Sequence, residues 1–243
     1  MNDVDLDRLA TAYAYRPPSD ASLERAEQAG TLMAAGARIL DAGGGPGNHS
    51  AVWNRQGHHP VLLDPSMTML TGARERGLTG VRATAQAMPF RSRSFSLVWF
   101  HLSIHYGDWR TSVDEALRVI DDGGRIEIWT LGADHYEHSF LTHWFPSIAI
   151  IDAGRFPDPD LLAAYLGDRV NSISVTHPVE TVVKTAGVWI PAIAAGFVST
   201  LQLLSNEERD RGIEAIRHRY PDPSEQIAYD LRFTQIVADG DRS

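Results

Sequence analysis

Short apolar runs alternate with amphipathic stretches between Ala37 and Thr130, and each run has the length of a buried strand. Periodic stretches of helical character separate these runs. The pattern predicts a mainly parallel sheet covered on both faces by helices. The predicted strands are residues 38–41, 61–64, 81–84, 95–101 and 125–131, and the predicted helices are residues 47–56, 66–76 and 114–120.

The pattern changes after Gly132. An aromatic-rich stretch becomes helical near Pro159, with Asp158 as the N-cap. A second helical region is predicted over residues 186–219 and contains a capping box of Ser205 and Glu208. We expect a single domain of four parts. These are an N-terminal helical lid (1–30), a core (31–131), a lid or substrate insertion (132–228) with a strand near 170–176, and a last strand (229–238).

Composition narrows the possible functions. The formal net charge of −9 argues against a nucleic-acid partner, which needs a basic surface. The chain has no cysteine, which excludes disulfides and thiolate chemistry. The apolar stretch 186–204 is interrupted by Pro191 and polar residues, so we expect a buried helix and no membrane partner. The N-terminus lacks the pattern of a signal peptide, and we expect a cytoplasmic protein.

A glycine-rich loop follows the first predicted strand. After Asp41, glycine stands at positions 43, 44, 45 and 47. Such a loop at a strand end presents backbone N–H groups and a helix N-terminus to a ligand. A tight turn without a ligand needs only one glycine. The dinucleotide fingerprint fails because Asn48 stands where its last glycine belongs, and there is no lysine for a phosphate-binding loop.

A second acid follows the second predicted strand. Asp64 comes 23 positions after Asp41 and directly after Val61-Leu62-Leu63. A carboxylate at this place can accept hydrogen bonds from ribose hydroxyls. The alternative is an Asp-Pro turn that caps the next helix.

The acid-first glycine motif, Asp41-x-Gly43-x-Gly45-x-Gly47, resembles the first motif of the class I, Rossmann-like S-adenosylmethionine-dependent methyltransferases of the small-molecule type. Residues 81–109 resemble the family stretch that leads into the fourth strand, although Thr84 and Ser96 stand where the family often has Asp. The alternative for this stretch is a loop packed by Met88 and Phe90. Residues 115–131 resemble the family passage from helix through a glycine turn to strand. The resemblance covers residues 37–131.

This resemblance implies an α/β fold with a mostly parallel sheet, an antiparallel last strand, helices on both faces and a helical, aromatic insertion in the C-terminal half. It implies S-adenosylmethionine as the cofactor and S-adenosylhomocysteine as the product. Asp41 would hold the cofactor amino group, Asp64 the ribose, and the segment 84–88 the adenine. The expected cofactor residues are Asp41, Gly43, Gly45, Gly47, Asp64, Pro65, Met69, Ala85, Gln86, Ala87, Met88, His101 and Tyr15.

Acceptor-side residues should follow the fourth strand, where His101 and His105 stand. The cofactor supplies an activated methyl group, so the protein must align the acceptor in line and exclude water. A base is needed only if the acceptor must lose a proton, and His105 is the candidate base or acceptor anchor. The alternative for each is a hydrogen-bonded loop histidine. We expect no metal site, because no histidine set has fixed carboxylate partners.

The insertion is rich in aromatic residues, which predicts a small apolar or aromatic acceptor. The alternative is that these rings form the core of the insertion. They are Phe140, Trp144, Phe145, Phe156, Trp189 and Phe197.

The sequence therefore predicts in-line methyl transfer to O, N or C of a small-molecule acceptor. Two alternatives remain: the same cofactor used for non-methylating chemistry, or a non-catalytic binding or scaffold role. The acceptor, its reacting atom and the oligomeric state are left open.

Overall fold

The computed structural model describes residues 4–12 and 18–240. The chain divides into two compact units. The core unit contains Pro18–Thr130, Phe156–Pro178 and the segment from Thr234. The insertion unit contains the described residues before Pro17, Leu131–Arg155 and Val179–Phe233.

The described helices and strands follow one another in a regular order. The strands are β1 (Arg38–Ala42), β2 (His59–Leu63), β3 (Thr79–Val81), β4 (Phe95–His101), β5 (Ile120–Leu131), β6 (Ser172–Thr176), β7 (Val179–Thr185) and β8 (Gln226–Asp239). The helices are α1 (Leu6–Ala12), α2 (Asp20–Thr31), α3 (Asn48–Arg55), α4 (Met67–Glu75), α5 (Trp109–Val119), α6 (Ala133–His138), α7 (Phe140–Trp144), α8 (Ser147–Arg155), α9 (Pro159–Gly167), α10 (Ala186–Ala194) and α11 (Asn206–Arg219). A 3₁₀ turn covers Ser199–Gln202.

The sheet has the strand order β3-β2-β1-β4-β5-β8-β6, with β7 also paired to β8. Parallel pairing joins β1 to β2 and to β4, β2 to β3, and β4 to β5. β8 runs antiparallel to β6 and β7. The strand order changes direction between β1 and β4. In open α/β sheets, ligands bind in a crevice at the carboxyl ends of the strands at such a switch point. The predicted fold class is confirmed.

Residues of the central strands form the core of the core unit. Four of the five residues of β1 are buried, and β4 is buried along almost its whole length. Continuous burial is typical of parallel strands with helices on both faces. Leu162 and Leu166 of α9 join the same hydrophobic cluster as Phe95 and Phe100.

The insertion unit has its own hydrophobic cluster. Its buried members include Phe145 at the end of α7, Trp189 of α10, Ile216 of α11 and Ile227 of β8. The unit is therefore stabilised by its own buried apolar surface.

The structure differs from the sequence pattern at several boundaries. The third strand is Thr79–Val81 rather than 81–84, and β5 begins at Ile120 rather than 125. The predicted helix 186–219 is divided into α10, the 3₁₀ turn and α11, because Gly196 takes a φ of +73° and ends the first segment. Residues 156–178 of the predicted insertion belong to the core unit.

The predicted N-cap at Asp158 is confirmed, because its side chain accepts hydrogen bonds from the N–H groups of Asp160 and Leu161. Of the predicted capping box, the Ser205 hydroxyl accepts from the Glu208 N–H, whereas Glu208 Oε1 accepts from the Ser147 N–H (3.0 Å). Within the described residues, no helix is long and apolar enough to cross a membrane.

Candidate cofactor site

The glycine loop connects the end of β1 to the start of α3. The Gly43 N–H donates to the carbonyl of Leu63 at the end of β2 (2.7 Å), and Gly43 has a φ of +73°. A Cβ at Gly43 would lie 2.5 Å from the Cβ of Ser103, whose hydroxyl donates to the Ala42 carbonyl (2.6 Å). Only glycine fits this position. The loop backbone is therefore packed between the ends of β2 and β4.

Asp64 joins the loops that follow β1 and β2. Its Oδ2 accepts a hydrogen bond from the Gly45 N–H (3.0 Å), and its Oδ1 accepts one from the Ser66 N–H (2.8 Å). The carboxylate is thus fixed by the backbone at the end of β2, where the ribose contact is predicted.

Asp41 lies beneath the glycine loop with 2% of its surface exposed. The Ser50 hydroxyl donates to its Oδ2 (2.7 Å), and a Cβ at Gly44 would come within 2.5 Å of its Cγ. Burial raises the pKa of Asp41 to about 6, against the effect of the Ser50 hydrogen bonds, and the Asp64 charge raises it further. No cation among the described residues compensates this carboxylate. Such a site suits a positively charged ligand group.

The segment after β3 is held by side chains of α5. The Met88 N–H donates to Glu115 Oε2 (2.8 Å), and Arg118 Nη2 and Nη1 donate to the carbonyls of Met88 (2.9 Å) and Phe90 (2.7 Å). Arg118 also pairs with Glu115 at 2.6 Å. These bonds fix the backbone that was predicted to lie along the adenine.

Several side chains of the same segment make hydrogen bonds or packing contacts with other parts of the core unit. Gln86 Nε2 donates to the Tyr106 carbonyl (2.8 Å) and the Ser112 hydroxyl (2.6 Å), so its backbone is the part left for an adenine. Met88 is buried in the hydrophobic core, as its packing interpretation predicts. Ala85 packs against that core, and Ala87 is exposed.

The residues after β2 are placed at the start of α4. The Pro65 carbonyl accepts from Arg82 Nε (3.2 Å), and Met69 is buried in the first helical turn. Their contact with the adenine stays a prediction. Tyr15, the predicted N-terminal contact, lies outside the described residues.

His101 ends β4 and lies in a cluster of rings. Its Nε2 is 3.3 Å from Arg25 Nη1, and the Arg25 guanidinium lies 4.6 Å from the centre of the Trp129 ring. A guanidinium only donates, so His101 Nε2 accepts and the proton of a neutral ring is on Nδ1. Leu102, the next residue, has a φ of +54°. A non-glycine residue in this conformation is strained, and such strain is typical of functional sites.

His49 lies beside His101, with ring centres 4.7 Å apart. Trp99 Nε1 donates to its Nδ1 (3.2 Å), so its Nε2 carries the proton and lies 2.9 Å from the Ser22 hydroxyl. Burial, together with the nearby Arg25 charge, lowers the pKa of His49 to about 4. His49 is therefore a neutral structural partner of the cluster at neutral pH.

His105 is buried between two other rings. Its ring centre is 3.8 Å from that of Phe156, nearly parallel, and 4.2 Å from that of Tyr106. Its role as base or anchor stays a prediction. Within the described residues, no group of three or more His, Asp or Glu side chains could hold a metal ion.

The aromatic residues of the predicted insertion divide into two groups. Phe156 belongs to the core unit and stacks on His105. The other five pack in the hydrophobic cluster of the insertion unit, which favours the interpretation of these rings as core. They are Phe140, Trp144, Phe145, Trp189 and Phe197.

Several residues of the site were not predicted from the sequence. Ser50 supports Asp41, Ser103 supports Gly43, and Arg25 contacts His101. Ser50 stands in the first turn of the helix after the glycine loop, which is a readable signal. Arg25 carries no such signal, because its contact with His101 is formed across 76 positions of sequence.

Comparison with known proteins agrees with this geometry. Residues 40–128 match the family described as a methyltransferase domain. The malonyl-[acyl-carrier protein] O-methyltransferase of Enterobacter lignolyticus is 35% identical over 145 residues, covering 55% of this chain and 57% of the relative. The chain thus spans about half the length of the curated relatives it matches.

Solved structures share the fold at low sequence identity. The YcgJ protein of Bacillus subtilis has a TM-score of 0.63 at 17% identity, covering 93% of this chain and all of that one. An N-methyltransferase of Haemonchus contortus, solved with S-adenosylhomocysteine and phosphomonomethylethanolamine, has a TM-score of 0.62 at 17% identity, covering 97% and 57%. Together, these findings show that residues 40–128 are similar to the methyltransferase-domain family and that the chain has the Rossmann-like fold of these solved structures.

Proposed function

We propose that this protein transfers the methyl group of S-adenosylmethionine to a carboxylate oxygen of a small acyl acceptor. The observation that carries the cofactor part is the pair of buried acids, Asp41 and Asp64, at the ends of adjacent parallel strands around the glycine loop. The bound cofactor supplies a methyl group on a positively charged sulfur. The chain's own residues bind and orient the two reactants.

The buried acids match the charge of this cofactor. Asp41 is a carboxylate without a described counter-cation, so an ammonium group placed there would gain a strong partner. Asp64 accepts from the Gly45 N–H, which fixes a carboxylate at the position expected for a ribose contact. Binding of the cofactor would therefore lower the pKa of Asp41 and release a fraction of a proton near pH 6.

A carboxylate acceptor agrees with the state of the histidines. A carboxylate oxygen is already a nucleophile at neutral pH, so its methylation needs no base. With such an acceptor neither His101 nor His105 has to act as a base, and His101 Nε2 accepts a hydrogen bond from Arg25. The name of the Enterobacter relative, an O-methyltransferase of a malonyl group, supports the same acceptor atom.

The test is a steady-state assay of S-adenosylhomocysteine release with mass analysis of the acceptor. Malonyl-[acyl-carrier protein] and a small malonyl thioester are the first acceptors, and the corresponding methyl ester is the control that offers no free carboxylate. We expect one methyl ester formed for each S-adenosylhomocysteine, and no reaction with the esterified control. Cofactor binding without S-adenosylhomocysteine from any acceptor would favour a binding or scaffold role. Products other than S-adenosylhomocysteine would favour non-methylating chemistry.

A further inference from the structure

Strand β7 forms an exposed edge of the insertion unit. Its residues Val179–Thr185 pair antiparallel with β8, from Val179 opposite Arg232 to Thr185 opposite Gln226, and with no other strand among the described residues. Val179 and Val183 are 51% and 52% exposed. Five of the seven residues are Val or Thr, which favour extended pairing. An unpaired edge of this composition is a template for a further strand.

The sequence of this edge is complementary to itself in one register. When two copies pair antiparallel about a two-fold axis through Val182, Glu180 of each copy lies opposite Lys184 of the other. Lys184 is the only lysine of the chain. The remaining pairs are Val182 with its copy and four pairs of Val with Thr, so every uncharged pair is β-branched. The arrangement contains two ion pairs and no like charges.

Other registers of the same edge lose this match. An axis through Glu180 or through Lys184 places two like charges directly opposite each other. An axis through Thr181 places Glu180 opposite Val182 and Lys184 opposite Pro178, which has no N–H to donate. An axis through Val183 places Lys184 opposite Val182. Charge complementarity therefore selects the axis through Val182.

The two faces of β7 differ in their exposure to solvent. The residues Val179, Thr181 and Val183 form the exposed face, whereas Glu180, Val182 and Lys184 are half-buried on the other. Lys184 Nζ lies 5.3 Å from the centre of the Trp189 ring, which holds its side chain against the sheet. The charged pairs would thus form beside apolar surface, where they are less screened than in water.

We infer that β7 is the interface on which a second copy of this chain docks, through antiparallel pairing of the two β7 edges about Val182. The result is a four-stranded β8-β7-β7-β8 layer shared by two copies. One pair of seven-residue edges is a small interface, so the dimer should dissociate in the micromolar range. This inference is independent of the reaction that the protein catalyses.

Charge reversal tests the register. Glu180→Lys and Lys184→Glu each replace two attractive pairs by two repulsive ones, and each should weaken dimerisation by roughly tenfold or more in sedimentation equilibrium. The double variant, Glu180→Lys with Lys184→Glu, restores both pairs and should restore the dimer. Glu207→Lys, which reverses an exposed charge in the α11 pair with Arg211, is the matched control and should change nothing. Circular dichroism verifies that each variant is folded.

Disulfide formation gives a second readout, because the chain has no cysteine of its own. Val182→Cys places two thiols opposite each other across the axis, and mild oxidation should give a covalent dimer. Val179→Cys places them six positions apart along the strand, about 20 Å, and should not. A monomer at all micromolar concentrations would overturn the inference. So would a dimer insensitive to both single reversals, or equal crosslinking at positions 179 and 182.

Discussion

Replacing the buried acid beneath the glycine loop should remove a pH dependence of protein stability and weaken cofactor binding. Burial raises the pKa of Asp41 from 3.8 to about 6. A carboxyl with a raised folded-state pKa contributes stability that is fully present below pH 3.8 and is lost as the pH rises through about 6. A shift of about 2 units corresponds to about 3 kcal/mol, because each unit is worth 1.36 kcal/mol.

Asp41→Asn removes this pH dependence because the amide stays neutral, while its oxygen can still accept from the Ser50 hydroxyl. Relative to the wild type, the variant should therefore gain about 2–2.5 kcal/mol in unfolding free energy between pH 4 and pH 8, because part of the effect is already present at pH 4. Any cost of burying the amide N–H₂ group is the same at each pH and cancels in this difference.

The assay is urea unfolding of both proteins at several pH values, with calorimetric binding of S-adenosylmethionine at pH 8. The matched control is Asp210→Asn, at a carboxylate that is 75% exposed. An unfolding free-energy difference between wild type and Asp41→Asn that is the same at pH 4 and at pH 8 would contradict the raised pKa of Asp41. Unchanged cofactor affinity in Asp41→Asn would refute its assignment to the cofactor ammonium group.

Three further predictions concern other parts of the core unit. Gly43→Ala, at a φ of +73°, should destabilise the protein by about 1–3 kcal/mol and abolish cofactor binding. Its control is Gly72→Ala, on α4 with open space around it, which should stabilise the protein by up to about 1 kcal/mol. Thermal melts measure the stabilities, and calorimetry measures cofactor binding. Arg118→Met removes the two carbonyl contacts of the adenine segment and should raise the cofactor Kd more than it changes the acceptor KM. The pKa of His49 is about 4 in the folded protein, against an ordinary value of 6.5. The unfolding free energy of the wild type should therefore decrease as the pH falls from 6.5 to 4, and His49→Gln should make this decrease smaller in urea titrations.

Local patterns explain which elements were predicted well. The predicted strand Phe95–His101 agrees with the structure at both ends, because the run Leu97–Phe100 is continuously apolar and polar residues precede it. The caps at Asp158 and Ser205 are local hydrogen bonds that short spacings encode. The glycine loop was readable because four glycines at a strand end have few other uses.

Long-range packing explains what was missed. Residues 156–178 belong to the core unit because Leu162 and Leu166 of α9 pack into its hydrophobic cluster, and no local pattern specifies that partner. The third strand was shifted because Gly80 is a weak strand former, and its pairing with β2 decides the boundary. The contact of Arg25 with His101 is likewise a product of the tertiary fold.

The central claim is that the glycine loop, Asp41 and Asp64 bind S-adenosylmethionine. The most direct measurement is calorimetric titration of S-adenosylmethionine and S-adenosylhomocysteine into wild type and Asp64→Ala, with Asp210→Asn as the control. We expect both ligands to bind the wild type and the control with micromolar Kd. In Asp64→Ala the Kd should rise about tenfold or more, and a tenfold change corresponds to about 1.4 kcal/mol of binding free energy. Absence of binding to the wild type, or equal affinity in Asp64→Ala, would contradict it.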